Sequence, residues 1–152
     1  MEKAYSTKQE LRGRYLSYRN ELSAGARKEK SEKIWNLLKK QGVYQKAEAV
    51  LVYLNYRSEV ITTGLVEELL CSGEKRVFAP KVEGMDIRFY EILSLVDLTE
   101  GYQGIREPKA DEQRLFTQEL SQNAACLVLV PGAVFDRQRG RMGYGKGFYD
   151  RY

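Results

Sequence analysis

Apolar positions along this chain repeat at two spacings, and the alternation between them predicts its architecture. From Thr7 to Glu21, Leu11, Tyr15 and Leu16, with Leu22 just beyond, stand among charges at helical intervals. Thr7 or Ser6 can cap this helix, and Glu10, three residues after Thr7, completes a capping box. A second helix runs from Ser23 to about Lys40 with a thin stripe of Ala26, Ile34, Trp35, Leu37 and Leu38, and Gly42 is expected to end it. Ala49 to Leu54 is a continuous apolar run bounded by charge, the pattern of a strand buried on both faces. A third helix spans Thr62 to Ser72, with Leu65, Val66, Leu69 and Leu70 inward and Gly73 at its end. Arg76 to Pro80 and Ile87 to Ile92 read as strands. Residues 97–112 read as loop, broken by Gly101, Gly104 and Pro108, and residues 113–122 as weakly helical. Ala125 to Val130 is a second fully apolar strand, stopped by Pro131-Gly132.

Helix and strand in alternation predict an α/β domain of three layers, with a mostly parallel sheet and helices on both faces in a Rossmann-like arrangement. A length of 152 residues suits one such domain. In these sheets ligands gather at the carboxyl ends of the strands. The segments Leu54 to Glu59 and Pro131 to Asp150 each leave an apolar strand, so they are expected to share one crevice.

The net charge of +4 leaves two partners open, small polyanions or nucleic acid. Positive charge concentrates at Arg137, Arg139, Arg141, Lys146 and Arg151, which favours a local phosphate site. The two cysteines, Cys71 and Cys126, are far apart and lack metal-type neighbours; Cys126, in an apolar run, reads as a small buried hydrophobe. The N-terminus has no apolar signal core and no apolar run reaches membrane-spanning length, so a cytoplasmic protein is expected. Histidine is absent, which excludes Ser-His, Cys-His and His-metal chemistry and leaves charge placement, carboxylates or an oxygen-held metal.

The segment Arg139 to Asp150 is the most informative. Gly140, Gly143, Gly145 and Gly147 fall within eight positions, with Arg141 and Lys146 among them. Such glycines admit positive φ and close approach of a ligand, and successive backbone N–H groups form an anion-binding nest. Arg can grip phosphate with two parallel hydrogen bonds, and Asp150 could hold magnesium against the phosphates. The spacing is neither Walker A nor the dinucleotide fingerprint.

These residues resemble the 5-formyltetrahydrofolate cyclo-ligase (5,10-methenyltetrahydrofolate synthetase) family. The match is strongest over Val130-Pro131-Gly132-Ala133-Val134-Phe135-Asp136 and Arg141 to Asp150. Lys8-Gln9-Glu10-Leu11-Arg12, Glu59-Val60 and Gly104-Ile105-Arg106-Glu107-Pro108 support it. The resemblance implies a fold like the NagB/RpiA/CoA-transferase-like group, and ATP- and magnesium-dependent closure of 5-formyltetrahydrofolate to 5,10-methenyltetrahydrofolate. It places ATP on Lys8, Gln9, Glu10, Leu11 and Arg12 and on the loop Arg141, Met142, Gly143, Tyr144, Gly145, Lys146, Gly147, Phe148 and Tyr149. It places the folate on Leu54, Glu59, Tyr144, Gly145, Lys146, Gly147 and Phe148, magnesium on Asp150, and the catalytic charge on Lys146 and Arg141. Glu59 would accept hydrogen bonds from the pterin N–H groups, with Tyr144 and Phe148 near a ring.

Relatives in that family continue past the segment matching Asp150-Arg151-Tyr152, with a further core strand and a second acidic magnesium contact. The expectation is a single domain, 1–152, shortened at its C-terminus, with an exposed sheet edge and a monomeric or dimeric state. The partners expected are the two small-molecule substrates, with no membrane and no nucleic acid. A binding protein without turnover is the alternative, and a nucleic-acid module using the Arg/Lys loop is a third reading.

Overall fold

The computed structural model describes residues 7–152; Ser6, the other candidate cap, lies outside them. Helices α1 (Lys8–Asn20), α2 (Ala24–Lys39) and α3 (Gly42–Lys46) lead into strand β1 (Ala49–Val52). Helix α4 (Thr63–Ser72), β2 (Arg76–Glu83) and β3 (Asp86–Ile92) follow, then the short strands β4 (Leu98–Glu100) and β5 (Arg106–Pro108). Helix α5 (Gln118–Asn123), β6 (Cys126–Leu129), β7 (Val134–Phe135), β8 (Arg141–Met142) and α6 (Phe148–Arg151) complete the chain.

The capping box at Thr7 forms as its spacing predicts, with the Thr7 hydroxyl accepting from the Glu10 amide at 3.2 Å and the Glu10 carboxylate accepting from the Thr7 amide at 2.7 Å. Gly73 ends α4 in the left-handed conformation, φ +64°. Gly42 does not end α2. That helix stops at Lys39, and Gly42 opens α3 with Gln41 as its cap.

The main sheet has the order β3-β2-β1-β6. β1 runs parallel to both β2 and β6, whereas β2 and β3 form an antiparallel hairpin, so the sheet is mixed and mostly parallel. Alternation along β1 divides its side chains between two cores. Val50 and Val52 face α2, α3 and α4 through Trp35, Leu38, Tyr44, Leu65, Val66 and Leu69. Ala49 and Leu51 face the other layer with Phe78, Phe89, Phe116, Leu120 and Tyr149, so α5 and α6 cover that side. Helices therefore lie on both faces, as expected. Burying side chains such as Leu51 or Phe78 contributes about 1.5–3 kcal/mol each.

Three expectations are corrected. β6 is not buried on both faces: Val128 is 40% exposed, because among the described residues no strand pairs with its outer side. Residues 97–112 are not all loop; β4 and β5 pair antiparallel through Leu98–Pro108, Thr99–Glu107 and Glu100–Arg106, in strands too short to show a period. α1 buries no residue fully, and its half-buried face mixes Leu11 and Leu16 with Arg12 and Arg19. β2 also runs past Pro80. Its ladder with β1 ends at Phe78, so a missing N–H at Pro80 costs no bond on that side.

Candidate functional site

A cavity of about 930 Å³ opens where the exits of β1 and β6 meet. Its walls come from α1, the loop after β1, the middle of the β2–β3 hairpin, the segment between β4 and β5, and the chain from Pro131 to Asp150. The crevice expected from the strand order is therefore formed.

The loop after β1 is held by its own hydrogen bonds. The Asn55 side-chain Oδ1 accepts from the Thr62 backbone amide and the Thr63 hydroxyl, each at 3.0 Å, and the Asn55 backbone amide donates to the Thr62 hydroxyl at 3.0 Å. From the α2 side, buried Ser31 accepts the Ile61 amide at 2.9 Å, and the Trp35 indole N–H donates to the Ile61 carbonyl. This frame places Glu59 inside the protein, 6% exposed, where one oxygen accepts the Tyr56 amide at 2.7 Å. Burial pushes the Glu59 carboxyl above its ordinary value of 4.5, against the opposing pull of the Tyr56 amide, the Tyr144 hydroxyl and the Arg19 charge. Glu59 is thus neither a surface carboxylate nor the cap of α4. Leu54 lines the cavity beside it.

The glycine loop is shaped by a small hairpin, β7 with β8. Asp136 closes its turn by accepting the amides of Gln138 at 2.8 Å and Gly140 at 2.7 Å. Beyond β8 the backbone takes positive φ at Gly145 (+97°) and Gly147 (+69°). A side-chain carbon at Gly145 would sit 3.4 Å from the Arg12 guanidinium, which itself donates to the Gly143 carbonyl at 2.9 Å. α1 and the loop are thereby tied together at the cation. Arg151 fixes the far end, donating to the Lys146 carbonyl at 2.8 Å and to Asp86 at 3.3 Å.

Lys8, Arg12 and every residue from Arg141 to Asp150 line the cavity. Among the described residues, Lys8 and Lys146 make no ion pair. Gln9, Glu10 and Leu11 do not line it; the helix turns them away, and the Glu10 carboxylate is spent on the cap. Arg141 donates to the Pro131 carbonyl at 2.9 Å and pairs with Asp150. An incoming phosphate must compete with that pair for Arg141, and a metal must compete for Asp150. No three acidic or cysteine side chains converge as a metal cage among the described residues. A single carboxylate beside a phosphate cradle still fits magnesium, which keeps waters and shares phosphate oxygens.

Tyr149 is enclosed beside Phe89, their rings 6.3 Å apart, and burial raises its phenol. Phe148 meets Tyr102 edge-on at 5.9 Å. Tyr144 keeps 39% of its surface exposed, yet partial desolvation pushes its phenol up to about 12, so it stays protonated and able to donate.

Sequence reasoning did not single out Arg19, Tyr53, Tyr102, Lys81 or Glu107 as site residues. Glu107 and Tyr102 reach the cavity from the segment read as loop, and Lys81 holds buried Glu107 at 2.7 Å. Arg19 had a legible signal: Lys8, Arg12, Leu16 and Arg19 follow one helical stripe, and all four line the cavity.

Comparison with known proteins places relatives along nearly the whole chain. The model of the 5-formyltetrahydrofolate cyclo-ligase family matches residues 4–152. A probable 5-formyltetrahydrofolate cyclo-ligase of Schizosaccharomyces pombe is 30% identical over 112 residues, covering 72% of this chain and 53% of the relative. The Mus musculus 5-formyltetrahydrofolate cyclo-ligase is 27% identical over 152 residues, covering 97% of this chain and 73% of the relative. The NMR structure of Aquifex aeolicus 5,10-methenyltetrahydrofolate synthetase superposes with a TM-score of 0.80 at 38% identity, over 95% of this chain and 70% of that one. The Mycoplasma pneumoniae 5,10-methenyltetrahydrofolate synthetase, 24% identical with a TM-score of 0.70 over 97% of this chain and 77% of that one, shares the fold. The chain spans about half the length of the S. pombe relative. With a family match over nearly its whole length and a cation-lined glycine loop facing a buried carboxylate, the chain belongs to the 5-formyltetrahydrofolate cyclo-ligase family.

Proposed function

We propose that this chain catalyses the ATP-dependent cyclisation of 5-formyltetrahydrofolate to 5,10-methenyltetrahydrofolate, releasing ADP and phosphate. One observation carries the reading: cations from α1 and the glycine loop, Lys8, Arg12 and Lys146, line the same cavity as the buried carboxylate Glu59. The folate occupies the Leu54 and Glu59 end, with Glu59 accepting pterin N–H groups. The ATP phosphates lie on the nest from Arg141 to Tyr149, neutralised by Lys8, Arg12, Arg141 and Lys146.

The formyl oxygen attacks the γ-phosphorus and displaces ADP. The folate N10 then attacks the activated formyl carbon; N10 loses its proton, and the C–O bond to phosphate breaks. Such phosphoryl transfer needs positioning and charge stabilisation rather than a protein nucleophile, which suits a chain without histidine. Lys146 and Arg141 hold the charge that develops on the transferred group. Asp150 would hold magnesium, which supplies further neutralisation of the phosphate oxygens. The chain works as a single domain, monomeric or dimeric, on soluble small molecules; no helix among the described residues is long and apolar enough to cross a membrane.

A spectrophotometric assay with ATP, magnesium and 5-formyltetrahydrofolate tests the proposal, and growth of the methenyl absorbance is the expected result. Saturable ATP and folate binding with no product would replace it with the second reading, a binding protein without turnover.

A further inference from the structure

Arg19 is a cavity cation that lies outside both the glycine loop and the first turn of α1. It stands in the last turn of α1, half-buried, and its guanidinium reaches three separate wall segments. Nε donates to the Ser58 hydroxyl at 3.0 Å, in the loop after β1. One terminal nitrogen donates to the Gly132 carbonyl at 3.2 Å, in the turn after β6. The other donates to the Tyr144 hydroxyl at 2.8 Å, in the glycine loop, and the guanidinium carbon lies 5.7 Å from the Tyr144 ring centroid. Tyr144 and Glu59 line the same cavity, and the Tyr144 hydroxyl favours the carboxylate form of Glu59.

A planar guanidinium fork meets three acceptors in fixed directions, which an ammonium on a flexible stem does not do. We propose that Arg19 is a positioning residue whose fork draws the glycine loop against the β1-exit loop, so that Tyr144 closes over Glu59 and shapes the folate end of the cavity. This rests on the cyclo-ligase reading for what occupies that end. Arg19 acts through Tyr144 and Ser58 and leaves phosphate neutralisation to Lys8, Arg12 and Lys146.

The titratable and charged groups that share the cavity wall with Glu59 and influence it come from four elements: Tyr144 of the glycine loop, Arg19 of α1, Tyr53 after β1 and Tyr149 of α6, while the Tyr56 amide donates to it within its own loop. The Arg19 charge and the Tyr144 hydroxyl both favour the carboxylate form. Losing either moves the Glu59 titration to higher pH.

Carbon-detected NMR titration of the Glu59 carboxyl, in the wild type, Arg19→Gln and Tyr144→Phe, tests this without requiring turnover. Both variants are expected to show a higher midpoint, and the double variant a smaller shift than the two added together. Arg19→Lys keeps the charge and loses the fork. It is expected to raise the midpoint by less than Arg19→Gln does, because only the Tyr144 contribution is lost, while raising KM for the folate about tenfold, with kcat within about threefold. An unchanged Glu59 midpoint in both Arg19→Gln and Tyr144→Phe, or a wild-type folate KM in Arg19→Lys, overturns the proposal. Should Arg19→Gln fail to fold, the Glu59 midpoint in Tyr144→Phe decides the matter alone. If the wild type makes no methenyl product, the cyclo-ligase reading falls, and the Glu59 titration alone decides the role of Arg19.

Discussion

β1 and β6 look alike as strings of residues, AVLV and CLVL, yet they do different work. β1 is paired on both sides and every residue in it is buried. Among the described residues β6 pairs only with β1, and its residues are half-buried or exposed. The exits differ as well. β1 leads into a rigid loop that holds a buried acid, Glu59; β6 leads into a hairpin and a glycine loop that present cations. A buried strand can anchor a carboxylate that needs shielding from water. An edge strand leaves the following chain free to take the positive-φ path an anion nest requires.

The largest effect separating the two strands is a truncation at the centre. Leu51→Ala is expected to lower unfolding free energy by about 3 kcal/mol, because it empties a fully buried site. Val128→Ala on the edge is expected to cost under about 1 kcal/mol. Urea unfolding of both variants reads the difference, and equal losses would erase the distinction between centre and edge.

The exits are separated by Lys146→Ala. It is expected to weaken ATP binding about tenfold or more, the loss of one charge-assisted contact, with thermal stability kept. Calorimetric titration checks this, and unchanged affinity refutes the phosphate cradle.

Glu59→Gln probes the acid exit. A carboxyl raised above 4.5 in the folded chain binds its proton more tightly there than in the unfolded chain. Wild-type stability therefore falls as pH rises from about 4.5 through the folded-state value, because the native state holds the extra proton. The variant is expected to be more stable than wild type at neutral pH, with the gain shrinking toward pH 4. Melting curves across that range test the sign, and a variant less stable at pH 7 contradicts it.

The smallest effect is expected from Val128→Lys, within about 0.5 kcal/mol in unfolding. A charge on an unpaired edge opposes strand addition, so the variant is also expected to reduce any concentration-dependent association seen by sedimentation.

Much of this organisation was legible along the chain. The capping box at Thr7 and Glu10, the αL stop at Gly73 and the apolar helix face of Leu65, Val66 and Leu69 are local and depend on neighbours within a turn. The glycine loop was legible because close backbone approach and positive φ, as at Gly145 and Gly147, favour glycine strongly. Gly42 was misread because a glycine can open a helix or close one, and only the preceding cap tells which.

Residue order thus established the alternating α/β plan, the glycine loop and a composition without histidine, since each follows from local conformational preference or from composition. Three-dimensional packing decided which apolar strand became the centre, that Glu59 is enclosed while Asp150 pairs with Arg141, and that Arg19 reaches a tyrosine 125 positions away. Those outcomes depend on contacts between segments distant along the chain, and neither period nor propensity encodes which of two similar segments will meet a third.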